Sequence, residues 1–260
     1  MREIIQIYKK LGETPLQALD RLRLERQGLR DERMTYLGRL DPMAEGLLLV
    51  LVGDTRGKEE YLNLDKVYEF EVLWGVETDT YDTLGLVTSA DTDSLALYPQ
   101  AGSDATRELV SAFATNSISS WLGIRKQSYP PYSSKKISGK QLFEWARAGE
   151  KVESPEREII IYSLEHLGER IIKGDELLQN IVEKISKVRG DFRQEMIIAE
   201  WRKNLEDQKD KEFVISKFVV HVSSGTYIRG LVHEMGEKLG SGALVYSIVR
   251  TKVGKFSLPL

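Results

Sequence analysis

Apolar and polar positions alternate most clearly over residues 67–76, VYEFEVLWGV, where Tyr68, Phe70, Val72 and Trp74 fall on one face and Glu69 and Glu71 on the other. A period of two sends successive side chains to opposite faces of a strand, so this segment is predicted to be a strand with one buried face. Residues 159–164 and 213–222 have similar apolar, β-branched character and are read as further strands. Residues 47–52, LLLVLV, closed by Gly53, fit either a buried strand or a core helix segment, which periodicity does not distinguish.

Helical spacing shows elsewhere. Leu16, Leu19, Leu22 and Leu29 suit one helix face, with Thr14 as cap and Pro15 in the first turn, which predicts a helix over 14–29. Residues 107–114, 140–148 and 226–239 are also read as helices. In the last of these Ile228, Leu231, Val232, Met235 and Leu239 form the buried stripe and Gly240 the stop. Between Gly174 and Lys211 the character changes: Leu177, Leu178, Ile181, Val182, Ile185 and Val188 lead to Gly190, and a charged stretch, RKNLEDQKDKE, follows. This is predicted to be an inserted helical excursion at about 174–211 with a solvated tail. No internal repeat or low-complexity tract is visible, and strands interspersed irregularly with helices predict one α+β domain over 1–260 with a mixed sheet.

Composition narrows the chemistry. The chain of 260 residues is 41% hydrophobic and 30% charged, as expected of a globular protein with a sizeable core. It has no cysteine, which excludes disulfides, thiolate metal sites and a Cys nucleophile, and three scattered histidines, His166, His221 and His233, offer little to a metal centre. A nucleophile must therefore be Asp, Glu, Ser, Thr, Tyr or Lys. The longest apolar run is far short of the roughly 20 residues that cross a bilayer, and the opening MREIIQIYKK lacks a secretory apolar segment, so a cytoplasmic protein with no membrane partner is expected. Net charge is −3, unevenly spread. Residues 125–151 hold seven basic side chains against two acidic, and residues 21–39 six arginines against three acids. Such islands are either ordinary solvated faces or surfaces for a polyanion.

On the residues alone, Asp41 in GRLDPMAEGLL reads first as a turn or helix cap, because Asp-Pro forms turns and Pro42 fixes φ. Its functional reading is a carboxylate presented by a stiff turn as a covalent nucleophile. Tyr68 reads as an inward strand aromatic. Arg229 would stand in the first turn of a helix, where the dipole disfavours a cation, so a purely solvent-facing role explains it poorly. Glu77, Asp79 and Asp82 in ETDTYDT read as a hydrogen-bonded turn, with no histidine or EF-hand spacing to make a metal site.

The segment GRLDPMAEGLL at 38–48 resembles the catalytic loop of the TruB family of tRNA pseudouridine synthases. In the family's order it is joined by YKKLGETPLQALDRLR at 8–23, DKVYEFEVLWGVETDTYDTLGLV at 65–87, PPYSSKKISGKQLFEWARAGE at 130–150 and VHVSSGTYIRGLVHEMGEKLGSGALVYSIVRTKVGKFSL at 220–258. The resemblance implies a pseudouridine synthase fold, a mixed and largely antiparallel sheet flanked by helices around a central cleft. It implies Asp41 as nucleophile, Tyr68 packed on the target base and engaged in proton removal, and Lys66 as the basic residue two positions before it. It also implies Arg229 paired with the catalytic carboxylate and Tyr227 in the active-site wall. An arginine fork is expected to hold Asp41 ionised and oriented.

The sequence departs from the family's pattern at three points. Tyr36 stands where the family carries a histidine that supports the flipped nucleotide, and an aromatic ring still stacks there. The matched motifs run to Phe256 and Ser257, so a form without the C-terminal PUA domain is expected, and the 174–211 excursion is long for bacterial members.

The resemblance implies isomerisation of uridine to pseudouridine, at position 55 in the T arm of tRNA, by a monomer needing no cofactor and no metal. The uridine must flip out of its stack, and Asp41 then attacks either the base or the ribose. Lys135, Lys136 and Lys140, with Tyr129, Tyr132 and Trp145 interleaved, are expected to form a phosphate-binding and stacking surface for the RNA stem-loop. The rivals are a non-catalytic RNA-folding factor or a synthase with another RNA target, and a glycosidase or metal-dependent hydrolase using Asp41 with Asp79 or Asp82. Intact Asp41, Tyr68 and Arg229 count against the folding factor.

Overall fold

In the computed structural model, which describes residues 2–90 and 103–258, the alternating segment is the strand Lys66–Trp74, in the middle of a nine-stranded sheet. The sheet runs Arg2–Lys9, Ala44–Gly53, Ala243–Val253, Lys66–Trp74, Glu212–Val222, Glu156–Lys173, Gly123–Ser128. Met34–Leu37 pairs with Ala44–Gly53, and Phe256–Ser257 with Ala243–Val253. All pairings are antiparallel except that of Ala243–Val253 with Ala44–Gly53. The apolar run 47–52 is therefore a strand, buried along almost its whole length. The parallel contact carries the 38–43 loop toward the middle of the sheet. Lys9 lies opposite Gly46, Gly46 opposite Arg250, and Arg250 opposite Tyr68, forming one rung just beyond that loop. Gly46 has φ 108°, and a Cβ there would collide with the Arg250 backbone, so only glycine lets these strands close.

Helices cover both faces. On one, Ser103–Trp121 and Ile228–Leu239 pack against Phe70, Val72, Trp74, Val214 and Phe218, and Gly240 ends the second helix in the left-handed conformation as expected. On the other, the excursion forms the helices Gly174–Ser186 and Gln194–Leu205, whose Leu177, Ile181, Ile197 and Trp201 bury against Leu73, Phe213 and Ile215. Just before the charged stretch Trp201 is 0% exposed and donates Nε1–H to the Thr83 carbonyl at 3.2 Å, and within the stretch, which is otherwise largely exposed as expected, Leu205 alone is buried. Of the stretch's charged residues, Arg202 and Lys203 lie on the outer side of the helix Gln194–Leu205, and the others follow its end.

Helix boundaries also differ: the helix expected over 107–114 runs Ser103–Trp121, and the one expected over 226–239 starts at Ile228. The N-terminal helix is Pro15–Glu25, capped by Thr14 and Gln17 in a reciprocal box, and residues 27–29 form a separate 3₁₀ turn. Leu19 and Leu22 are buried, whereas Leu16 is 62% exposed. Lys140–Gln141 is a strand paired with Lys136–Ile137, and the helix is confined to Leu142–Arg147, because Glu144 caps it back onto the Gln141 amide.

Candidate active site

A cavity of about 570 Å³ opens where the 38–43 loop, the start of Lys66–Trp74, the 80–84 turn, the 132–134 segment and the first turn of Ile228–Leu239 meet. Asp41, Tyr68, Arg229, Tyr36, Lys66 and Tyr227 all line it. Residues separated by nearly 190 positions thus share one wall.

Arg229 is 5% exposed and holds three acceptors. Its Nε donates to Asp41 Oδ2 at 2.7 Å, one terminal nitrogen donates to the Thr80 carbonyl at 2.6 Å, and the other to the Tyr132 carbonyl at 3.1 Å. The expected two-pronged grip on Asp41 is therefore replaced by a single bond, with the remaining donors fixed to backbone. Asp82 Oδ2 lies 3.8 Å from Arg229 Nε. Burial disfavours the guanidinium charge, but Asp41 and Asp82 more than offset it and raise its pKa above the usual arginine value. These carboxylates also offset the unfavourable helix dipole.

The 77–83 segment behaves as the hydrogen-bonded turn its sequence implied. Asp82 Oδ1 accepts from the Leu84 amide at 2.9 Å and the Thr80 hydroxyl at 2.8 Å, and Asp79 Oδ1 accepts from the Leu86 amide at 2.8 Å. Complete burial pushes the Asp82 carboxyl up to about 6, against the pull of Arg229 and its hydrogen bonds. Asp41 keeps partial exposure to the cavity, and its second oxygen has no hydrogen bond among the described residues. This is the arrangement a nucleophile needs: one oxygen held, the other open.

Lys66 is buried, its ammonium donating to the Leu62 carbonyl at 2.7 Å and also to that of Leu64, and burial lowers its pKa to about 8. Tyr227 presents a half-buried ring, fixed through backbone bonds to the Gln127 side chain, and burial followed by the Asp41 charge raises its phenol pKa. Lys135, Lys136 and Lys140 do not line the cavity. They stand on and beside the Lys136–Gln141 hairpin, Lys135 over the Tyr129 ring at 5.2 Å and Lys140 over Trp145 at 4.2 Å. In the other basic island Arg21 is engaged by Glu13 at 2.8 Å and by Glu25, so part of that charge is structural.

Sequence reasoning missed two cations behind the 38–43 loop. Arg250, 1% exposed, donates to the carbonyls of Leu47 at 2.8 Å and Arg39 at 3.0 Å, and more weakly to Gly38 at 3.4 Å. Lys9, 0% exposed, donates to the Ala44 carbonyl, and burial lowers its pKa to about 8 despite the nearby Asp41 charge. The available signal was a cation inside an apolar strand, a placement that occurs only when paired or hydrogen-bonded.

Residues 26–173 match the family described as TruB family pseudouridylate synthase (N terminal domain). The chain is 28% identical over 253 residues to tRNA pseudouridine synthase B of Aquifex aeolicus, covering 97% of this chain and 68% of that protein. It is 32% identical over 259 residues to tRNA pseudouridine synthase B of Limosilactobacillus reuteri, covering 99% and 69%. Among solved structures, a chain of a Cbf5-Nop10-Gar1 complex superposes with a TM-score of 0.54 at 18% identity, over 98% of this chain and 50% of that one. A chain of an H/ACA RNP bound to a substrate RNA containing 2′-deoxyuridine gives 0.51 at 17%, over 98% and 49%. This chain spans about half the length of those solved chains, and at such identity the likeness concerns the fold.

Proposed function

Because this chain belongs to the TruB family of pseudouridylate synthases, we propose that it isomerises uridine 55 in the T arm of tRNA, with Asp41 as the nucleophile. In that reaction the N1–C1′ bond breaks and a C5–C1′ bond forms, while C5 loses a proton and N1 gains one. The product is an isomer of the substrate, and no co-reactant enters. Asp41 attacks the base or the ribose, Tyr68 packs on the base and serves the proton removal at C5, and Arg229 holds the carboxylate charged and aimed. Tyr36, Lys66 and Tyr227 contact the flipped nucleotide. The few kcal/mol needed to unstack it are regained by contacts inside the cavity. Lys135, Lys136 and Lys140 contact RNA phosphates outside it. The enzyme acts as a monomer in the cytoplasm, and sedimentation of the pure protein checks the oligomeric state.

The observation that carries this reading is the 2.7 Å bond from buried Arg229 to Asp41 on the wall of a cavity that Tyr68 also lines. The test is to map pseudouridine in full tRNA and in a T-arm hairpin after incubation with pure protein. Conversion at position 55 is expected. Asp41→Asn should abolish it while leaving RNA affinity within about threefold, since a neutral amide is no nucleophile but phosphate contacts persist. An Asn variant that keeps a tenth of the wild-type rate would remove Asp41 from this role.

A further inference from the structure

The corner between the excursion's two helices reaches the cavity, where Phe192 and Arg193 form part of the lining. Everything local argues against an arginine there. Arg193 caps the helix Gln194–Leu205, a position that favours Ser, Thr, Asp or Asn, and it places a cation at the positive end of the helix dipole. Its φ of 64° is left-handed, a conformation that costs a non-glycine residue of order 1 kcal/mol. Residues that break local preferences in this way concentrate where a specific side-chain contact is required.

Those contacts are present. The guanidinium grips Asp79 with both terminal nitrogens, at 2.8 and 3.4 Å, and its carbon lies 4.6 Å from the centroid of the Tyr132 ring. Burial first, and then the neighbouring Asp79 carboxylate, push the Tyr132 phenol up to about 12, so the three side chains stand together. Asp79 directly precedes Thr80, and the carbonyls of Thr80 and Tyr132 are the two that hold the terminal nitrogens of Arg229. Arg193 thus ties together the two backbone segments that aim the arginine bound to Asp41. The corner that carries it is anchored in turn: Arg147 donates to the Asp191 carbonyl at 3.1 Å, and Gln194 donates to the carbonyls of Val188 and Gly190 at 3.1 and 2.7 Å.

The geometry points to Arg193 as a positioning residue, by which the excursion clamps the 79–80 and 132 segments around Arg229 and thereby sets the orientation of Asp41. The inference rests on the roles of Asp41 and Arg229 proposed above. The excursion is, on this basis, a working part of the active site rather than an appendage.

The test combines single-turnover kinetics on tRNA with a substrate-free measurement, the exchange protection of the Arg229 Nε–H signal by NMR. Arg193→Ala should lower the single-turnover rate about ten- to a hundredfold, the range expected for misplacing a reacting group by about 1 Å, with KM changed less than about threefold. It should also strip protection from the Arg229 Nε–H. Arg193→Lys, which keeps the charge but loses the planar fork, should recover part of the rate. Asp79→Asn should reproduce the defect, and the double variant should be no worse than either single one. A wild-type rate in Arg193→Ala, or single effects that multiply in the double variant, would overturn the assignment. Should Arg193→Ala fail to fold, Arg193→Lys decides: a reduced rate at unchanged KM supports the clamp, and a wild-type rate refutes it. If the wild-type protein converts no uridine, the functional reading fails, while retained Arg229 protection in a folded Arg193 variant separately sinks the positioning role.

Discussion

Arg229→Lys separates charge from geometry at the heart of the site. The guanidinium uses three nitrogens to reach three acceptors, Asp41 Oδ2 and the carbonyls of Thr80 and Tyr132, at 2.6–3.1 Å. A lysine ammonium keeps the charge that Asp41 and buried Asp82 require, but its single nitrogen cannot satisfy three acceptors that separate atoms now reach. Two bonds from a charged donor disappear, each worth about 1.5–3 kcal/mol, which sets an upper limit of about 3–6 kcal/mol. Thr80 and Tyr132 both line the cavity, so water can reach the released carbonyls. The folding cost should therefore shrink to about 1–2 kcal/mol, a fall of a few degrees in Tm for a chain of this size. The remaining 2–4 kcal/mol or so falls on the aim of Asp41, which converts to a loss of about 30- to 1,000-fold in kcat. Release of tritium from tRNA carrying 5-tritiated uridine under single-turnover conditions measures this step, because C5 must give up its hydrogen. A Lys variant within threefold of wild type would refute the geometric argument, and one that melts more than about 10 °C lower would make Arg229 chiefly a folding residue.

Three further outcomes follow from the same structure. Trp201→Ala, which removes a fully buried indole and its bond to Thr83, should cost about 3–5 kcal/mol and lower Tm by about 10 °C; a change under 2 °C in calorimetry would mean that the excursion is not part of the core. Lys184 donates to the Tyr246 carbonyl at 2.8 Å beneath that residue's ring, and burial lowers its pKa from 10.5 to about 8. The unfolded chain therefore binds the extra proton between pH 8 and 10.5, so wild-type stability relative to Lys184→Met should rise with pH across that window in urea titrations, and a flat difference would contradict the burial argument. Replacing Lys135, Lys136 and Lys140 together with Ala should flatten the dependence of RNA affinity on salt, by at most about 0.9 in log–log slope for each phosphate no longer neutralised, without changing which uridine reacts. An unchanged slope would place the RNA elsewhere.

Much of the site is legible in the sequence because its residues sit in short ordered motifs. Asp41, Tyr68, Arg229, Tyr36, Lys66 and Tyr227 all stand in or beside those motifs, and all line one cavity. Strand periodicity likewise marks the sheet's middle strand, since alternation is a local property that any one segment carries by itself. Short boundaries are harder: whether 140–148 starts as strand or helix depends on pairing with Lys136–Ile137, which competes with helix propensity. The charged stretch after residue 201 is legible as solvated from its composition, but only packing against Phe213 and Ile215 shows that Trp201 before it and Leu205 within it enter the core.

The identities of the candidate site residues are thus written in the chain, whereas their aim is not. Which atom of Arg229 meets Asp41 depends on two carbonyls from separate loops, and backbone acceptors leave no mark in residue identity. Arg250 and Lys9 support the 38–43 loop because one parallel pairing aligns Lys9, Gly46, Arg250 and Tyr68 across four strands. Arg193 reaches the same site from a segment more than a hundred residues from Asp79. Residue types and their spacing are local facts, but hydrogen-bond partners across a sheet are settled by long-range register and burial, which the chain acquires only when the whole sheet closes.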